Sequence, residues 1–293
     1  MTARSVKGAA FAVLLVASST ASACTRGHEP AVPGEAHRVV SLGPATTEAL
    51  FAVGAGNRVV GRSRYCDFPP EAARVPAVGG IEPDVEAILQ LAPDLLVGPS
   101  GQWSTPLTER MRAHGIATWF PPEVATLEDV DALVEGIGDR TGHAADARAV
   151  VASMDAREKA VAQALARTEA KKPRVLFVVD VQPIVAAGPK SFADEMLRRA
   201  GATNVLADGG AWPALGFERV VDLDPDVVVD ASMAESTGPE RITASEAGWS
   251  GVRAAREGHV VPLRDERVLR PGPRIAEGLA VLAKLLHPEA PIP

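Results

Sequence analysis

The stretch "EPDVEAILQLAPDLLVG", residues 82–98, decides the fold, because most of its pattern returns in "GFERVVDLDPDVVVD", residues 216–230. In each copy a Glu opens an apolar helical turn, and a Leu five residues later precedes x-Pro-Asp and a run of Leu or Val. Proline ends a helix, and the apolar run is typical of a buried strand. Each copy therefore predicts a helix, a tight turn and a strand, with Glu86 and Glu218 in the same place.

The same alternation of short strands and helices extends on both sides of each copy. From residue 38, runs such as "RVVSL", "RVVGRS" and "DLLVG" alternate with helical patterns, and a similar texture follows Pro173. This alternation predicts parallel sheets covered on both faces. The fold class is therefore α/β, with an N-terminal lobe at 38–142 and a C-terminal lobe at 173–293, both Rossmann-like.

The segment between the lobes has a different composition. Residues 143–172 are rich in strong helix formers, and Val150, Met154, Val161 and Leu165 are spaced to form one apolar stripe. A single long helix that joins the two lobes is the main interpretation. A loose hairpin or a piece of coiled coil is the alternative.

Charge and composition exclude one large class of partner. The chain has 293 residues, which exceeds the usual length of one domain, and a formal net charge of −7 with a pI of about 5.5. An acidic balance argues against a phosphate backbone as the main partner. Nucleic acid is therefore not expected as a ligand.

The amino terminus has the pattern of an export signal over residues 1–23. Arg4 and Lys7 precede an apolar core, and small residues lead to Cys24 in "ASAC", which resembles a bacterial lipobox. Lipidation of Cys24 would anchor the protein to a membrane through a polar tether, residues 24–37. The alternative is a free secreted protein in which Cys24 pairs with Cys66 or stays unpaired.

Catalytic and metal-binding motifs are missing from the sequence. It contains no G-x-S-x-G, no Walker loop and no G-x-G-x-x-G after a strand, and its six His residues have no metal-ligand spacing. Cys66 is interpreted as a small buried residue, with a metal ligand as the alternative. We expect no enzyme activity, no cofactor and no bound metal ion.

The loops that follow the predicted strands carry the candidate binding residues, since α/β sheets bind ligands at strand ends. Aromatic residues make up only 4% of the chain, yet Tyr65, Phe68, Trp103 and Trp212 all fall in such loops. This placement favours a flat, partly apolar ligand that stacks on rings. Packing of these rings against the protein itself is the alternative.

Three longer segments carry a family resemblance: residues 38–72, residues 211–229, and "RPGPR" at 270–274. With them the chain resembles the substrate-binding proteins of ABC importers for vitamin B12, haem and iron-siderophores, over about residues 38 to 288. Within this group it is most similar to the cobalamin-binding members. The resemblance implies two lobes joined by one rigid helix, with the ligand cleft between them.

The resemblance also implies binding roles for individual residues. Tyr65 and Trp212 are implied to contact a corrin ring from opposite lobes, and Arg270 to hydrogen-bond its amides. Trp103 lies in a ligand-facing loop but matches the family less securely. Pairing of Arg270 and Arg274 with nearby acids alone is the competing interpretation.

Glu86 and Glu218 match the family's two docking residues, and each is implied to pair with Arg residues on one subunit of a dimeric permease with its ATPase. Helix capping is the simpler role for both. The chain departs from the family at Gly80, six residues before Glu86, because an aromatic is expected there and Trp212 holds the equivalent place before Glu218. The departure removes one stacking face.

The sequence therefore predicts the substrate-binding component of an ABC importer, which captures cobalamin or a related corrinoid and delivers it to a permease. It would be exported, and either periplasmic or lipid-anchored. Haem or a ferric siderophore is the alternative ligand of the same fold. An exported α/β enzyme with a metal or cofactor is the alternative from another class.

Overall fold

The computed structural model describes Met1 and residues 35–101, 104–168, 171–232 and 241–293. The predicted signal peptide and Cys24 lie outside the described residues, as does Trp103. The described residues from 35 onward all belong to one compact unit, Ala31–Pro293. No helix in these ranges is long and apolar enough to cross a membrane.

The first half of the chain forms a four-stranded parallel sheet. Its strands are β1 Val39–Ser41, β2 Val59–Arg62, β3 Leu95–Val97 and β4 Ala117–Trp119. They lie in the order β2-β1-β3-β4. The helices of this half are α1 Pro44–Ala52, α2 Val85–Gln90, α3 Ser104–Ala113 and α4 Leu127–Arg140. Parallel neighbours require crossovers, and α1, α2 and α3 are those crossovers.

A single continuous helix, α5 Ala144–Ala166, follows. Within residues 171–232 and 241–293, the second half then supplies six strands and four α-helices. The strands are β5 Arg174–Val181, β6 Ile184–Ala186, β7 Thr203–Asn204, β8 Ala214–Leu215, β9 Val227–Asp230 and β10 Val260–Pro262. The helices are α6 Phe192–Arg199, α7 Phe217–Leu223, α8 Arg253–Arg256 and α9 Ile275–Leu286.

The second sheet is mixed rather than wholly parallel. Its order is β10-β9-β5-β6-β8, with β7 also paired to β5. Strands β5, β7, β9 and β10 pair in parallel, as expected, whereas β6 pairs antiparallel with β5 and with β8. Only Gln182 and Pro183 separate β5 from β6, and so short a connection permits only an antiparallel hairpin. The predicted α/β class is confirmed, and the hairpin is the added detail.

Helix α5 packs against both halves, since it contacts α4 from the first and α9 from the second. Met154 and Val161 of its predicted apolar stripe are buried, and Val150 and Leu165 pack against the same cluster. That cluster continues into β1 of the first sheet and β5 of the second. A continuous apolar core therefore joins the two sheets through α5.

The repeated Pro-Asp has a structural cause in each half. The Asp94 carboxylate accepts a hydrogen bond from the backbone N–H of Arg38, at 3.1 Å, where the chain enters β1. The Asp226 carboxylate accepts one from the N–H of Arg174, at 3.0 Å, at the start of β5. Each Asp thus satisfies a backbone donor that the neighbouring strand leaves unpaired.

The two arginines return a hydrogen bond to the repeated leucines. Arg38 Nη2 donates to the carbonyl of Leu91 at 2.6 Å, and Arg174 Nη2 donates to the carbonyl of Leu223 at 2.7 Å. Both carbonyls lie at the carboxyl end of their helix, where backbone acceptors lack partners within the helix. The sequence repeat is therefore a repeated set of contacts between helix, turn and strand.

Candidate functional site

A cavity of about 1040 Å³ lies at the carboxyl ends of the four strands of the first sheet. Segments that follow β1, β2, β3 and β4 line one side of it, and they include Gly43, Tyr65, Ser100 and Pro121. Residues of the second half, among them Trp212, line the other side. The cavity therefore lies between the two halves, at the strand ends where α/β proteins bind ligands.

Tyr65 and Trp212 both line this cavity, one from each half. Tyr65 is 48% exposed and Trp212 is 46% exposed. A ring that only filled a gap in the protein would be buried, so this exposure favours contact with a bound molecule over packing. Trp103 lies outside the described residues, although Ser100 and Gly101 of the same loop line the cavity.

Arg270 reaches the cavity from the second half, but acids of both halves contact it. Its Nη1 lies 2.6 Å from Asp67 Oδ1, in the loop after β2, and its Nη2 lies 2.9 Å from Glu266 Oε2. The hydrogen bond from Arg270 lowers the pKa of the Asp67 carboxyl. Arg270 therefore lines the cavity, and it also pairs with acids, which was the competing interpretation of this residue.

Arg274 makes a second connection between the halves. Its Nη2 lies 2.9 Å from Oε2 of Glu48, a buried residue of α1, and its backbone N–H donates to Oε1 of the same carboxylate. Its guanidinium carbon lies 3.5 Å from the ring centroid of Phe68, an arrangement that favours a cation. Arg274 therefore pairs with acids and does not line the cavity.

Glu86 and Glu218 occupy matching positions, each as the second residue of its helix, α2 and α7. Both side chains are exposed, and within the described ranges neither carboxylate has an ion-pair partner. Asp84 caps α2 by accepting a hydrogen bond from the N–H of Ala87. Asp84 is therefore the residue that caps α2, and the Glu86 side chain is exposed to solvent.

At Gly80 the expected ring of the first half is absent, and the side chain of Arg64 lies beside this position. A Cβ atom built on Gly80 would overlap the guanidinium of Arg64, which fills the adjacent space. Arg64 also lines the cavity. Reasoning from the sequence did not single out Arg64, and the Gly at an aromatic position was the signal that pointed to this place.

Cys66 is fully buried, with its Sγ 4.0 Å from the carbonyl oxygen of Ser41. Burial raises the pKa of the Cys66 thiol. The part of the chain that the structure describes holds no group of three His, Cys, Asp or Glu side chains placed to bind a metal ion. The surroundings of Cys66 match a small buried residue.

Two α/β halves that enclose a cavity lined by exposed rings form the arrangement of a small-molecule binding protein. The chain belongs to the periplasmic binding protein family, whose sequence profile matches residues 39–266. The family resemblance seen in the sequence is thereby confirmed.

Relatives and solved structures give the degree of similarity. A cobalamin-binding protein of Halobacterium salinarum is 33% identical over 264 residues, which cover 86% of this chain and 70% of the relative. An ABC transporter substrate-binding lipoprotein of Bacillus subtilis is 29% identical over 260 residues, which cover 87% of this chain and 81% of the relative. A periplasmic haem-binding protein of Roseiflexus, solved in apo form, superposes with a TM-score of 0.75 at 27% identity, covering 86% of this chain and 98% of that one.

Proposed function

We propose that the chain is the substrate-binding component of an ABC importer, and that it captures cobalamin or a related corrinoid in the cavity between its halves. The observation that carries this proposal is the pair of half-exposed rings, Tyr65 and Trp212, which come from different halves of the chain and line one cavity of about 1040 Å³. This volume is at the upper end of the range for ordinary ligand sites, roughly 300 to 1,000 Å³. A large flat ligand suits both features.

The relatives support the same choice of ligand. The relative from Halobacterium salinarum is named a cobalamin-binding protein, and a relative from Vibrio parahaemolyticus, 27% identical, is named a vitamin B12-binding protein. Haem is the second candidate, because an exposed phenol such as that of Tyr65 is a possible axial ligand for haem iron. A ferric siderophore, which arginines in the cleft would favour, is the third.

Capture would involve little movement of the halves. The apolar core is continuous through α5, and the ion pairs Arg270–Asp67 and Arg274–Glu48 join the halves beside the cavity. A largely preformed cleft loses less conformational freedom on binding than an open one. Affinity would then come from ring stacking and desolvation in a site that exists before the ligand arrives.

Delivery requires contact with a permease and its ATPase. Glu86 and Glu218, exposed and similarly placed on α2 and α7, would each pair with Arg residues of one permease subunit. A dimeric permease presents two equivalent surfaces, which matching carboxylates on the two halves would satisfy.

We also infer that the protein is exported through its amino-terminal signal and that Cys24 carries the lipid anchor. Binding and release, rather than catalysis, would be its whole activity. A processed protein that carries acyl chains on Cys24 would be recognised by mass spectrometry, and an unmodified Cys24 would contradict the anchor.

The experiment that tests the ligand is a titration of the purified protein with cyanocobalamin, haemin and a ferric siderophore, followed by quenching of tryptophan fluorescence. We expect micromolar or tighter binding of cyanocobalamin alone. Tight binding of haemin without a response to cyanocobalamin would overturn the choice of corrinoid and favour the haem alternative.

A further inference from the structure

The two halves present different groups at equivalent places. Six residues before Glu218 stands Trp212, and six residues before Glu86 stands Gly80. In the first half the guanidinium of Arg64 fills the space beside Gly80, where even a Cβ atom would overlap it. One wall of the cavity therefore carries an indole ring, and the opposite half carries a guanidinium in place of a ring.

Arg64 is held beside Tyr65 as well as beside Gly80. Its guanidinium carbon lies 5.6 Å from the centroid of the Tyr65 ring, within the distance at which a cation is attracted to a ring face. The absent side chain at Gly80 gives the guanidinium room to lie there. Tyr65 and Arg64 therefore form one continuous surface of the cavity.

The guanidinium of Arg64 lacks a carboxylate partner among the residues that the structure describes, and it makes no hydrogen bond to them. Arg270, which lines the same cavity, is paired with Asp67 and Glu266. Glu123 also lines the cavity but forms no ion pair with Arg64. Arg64 thus offers its N–H donors to the cavity, and a planar guanidinium matches the geometry of carboxylate and phosphate oxygens.

We infer that Arg64 is a specificity-determining residue, which binds an anionic group at the edge of the flat ligand while Trp212 packs against its face. This inference rests on the proposed function for the presence of such a ligand. The anionic group is a phosphate or a carboxylate. Cyanocobalamin carries a phosphodiester, and haemin carries carboxylates, so the same contact serves either ligand.

The test compares each anionic ligand with a counterpart that lacks the anionic group. Cyanocobalamin is paired with dicyanocobinamide, which lacks the phosphodiester together with its ribose and base, and haemin is paired with its dimethyl ester, which loses only the carboxylate charges. Loss of a charge-assisted hydrogen bond weakens binding by roughly tenfold or more. We expect Arg64→Gln to weaken the anionic member of the pair that binds by about that factor, and its uncharged counterpart by less than about twofold.

A matched control removes the same charge outside the cavity. Arg74 is exposed, lies in the same half and does not line the cavity, so Arg74→Gln is expected to leave all the affinities unchanged. Arg64→Lys keeps the charge but loses the planar fork, and should weaken binding of the anionic ligand less than Arg64→Gln.

Equal weakening of both members of a pair by Arg64→Gln would overturn the inference, because it would mean that Arg64 only fills space. No weakening of the anionic member would overturn it as well. Binding of haemin but not of cyanocobalamin to the unaltered protein would remove the proposed corrinoid, while the comparison of haemin with its ester would still decide the role of Arg64. If none of the four molecules bound, both proposals would fall.

Discussion

At the scale of single residues, the cavity combines two half-exposed rings with the guanidinium of Arg64. Tyr65 and Trp212 lie in different halves of the chain, and each leaves close to half of its surface open to solvent. Exposed rings cost free energy that a stacked ligand recovers by removing the apolar surface from water. Trp212 is therefore expected to contribute most through its ring area.

Replacement of Trp212 tests this stacking contribution. Trp212→Ala removes the ring and should weaken binding of cyanocobalamin by about tenfold or more, since stacking on an aromatic side chain contributes roughly 1–3 kcal/mol. Trp212→Phe should recover most of the affinity. Fluorescence no longer reports on this variant fully, so the dissociation constants are measured by calorimetry.

The control for Trp212 is Leu285→Ala, which trims another exposed apolar side chain that does not line the cavity. It should bind cyanocobalamin as the unaltered protein does. A Trp212→Ala variant with unchanged affinity would contradict a stacking role and would favour packing of this ring against the protein itself.

The sequence revealed the two rings and Arg270, but not the acids that pair with Arg270 and Arg274. Tyr65 and Trp212 were found because aromatics are scarce and these two fall in loops after strands. Asp67 and Glu48 were not, because their partners Arg270 and Arg274 are 203 and 226 residues away along the chain.

At the scale of elements, helices α4, α5 and α6 meet around one arginine and several acids. Arg199 of α6 pairs with Glu128 of α4 and lies 3.5 Å from Glu158 of α5. Burial raises the pKa of Glu158 to about 7 and that of Asp131 to about 6. Among the described residues, no hydrogen bond reaches Glu158 Oε1 or Asp131 Oδ1.

These raised pKa values determine whether the stability of the folded protein rises or falls with pH. A carboxyl whose pKa is higher in the folded protein than in the unfolded chain binds its proton more tightly when folded, so stability falls as pH rises towards the folded value. For Glu158 that loss extends from about pH 4.5 to about pH 7. The contact between these helices should therefore be more stable at pH 5 than at pH 8.

Glu158→Gln removes the charge and keeps a hydrogen-bond acceptor. We expect Tm at pH 8 to rise by about 2–4 °C, the shift that 1 kcal/mol produces in a protein of roughly this size. At pH 5, where Glu158 is already largely protonated, Tm should change little. Thermal unfolding followed by circular dichroism at the two pH values measures both.

Glu109→Gln is the matched control for that experiment, since Glu109 is an exposed acid of α3 and lies outside the contact of α4, α5 and α6. It should leave Tm unchanged at both pH values. An equal change in Tm at pH 5 and pH 8 for Glu158→Gln would show that packing rather than charge is responsible.

Elements were predictable where the pattern was local. Strong helix formers and an apolar stripe indicated a single helix over 143–172, and α5 spans Ala144–Ala166. The antiparallel β6 and β8 were not predicted, because each has only two or three residues, too few for a periodic pattern to distinguish. Their pairing depends on the hairpin and on contacts within the sheet.

At the scale of the whole molecule, the cavity and the carboxylates on α2 and α7 are separate features. Tyr65, Trp212 and Arg270 line the cavity, whereas Glu86 and Glu218 do not. We therefore expect substitutions at Glu86 and Glu218 to leave ligand capture unchanged. The position of the cavity was predicted from the loops that follow the strands, but its volume depends on how closely the halves approach, which no local pattern records.

Docking is tested by a double variant. Glu86→Ala with Glu218→Ala should abolish uptake of cobalamin by cells in which this chain is the sole binding protein, because both permease subunits lose their partner. The affinity of the purified variant for cyanocobalamin should stay within about twofold of the unaltered protein, since neither residue lines the cavity.

A variant with Glu109→Ala and Glu246→Ala loses one exposed carboxylate from each half as well, and it should support normal uptake. Loss of ligand binding in the Glu86 and Glu218 double variant would place these residues in ligand capture. Normal uptake of cobalamin with the same double variant would contradict a docking role for both residues.

The most direct test of the central claim is a crystal structure of the protein with cyanocobalamin bound. We predict that the corrin ring lies in the cavity between the two halves, in contact with Tyr65 from the first and Trp212 from the second. A corrin bound to one half alone, or outside the residues that line this cavity, would contradict the account.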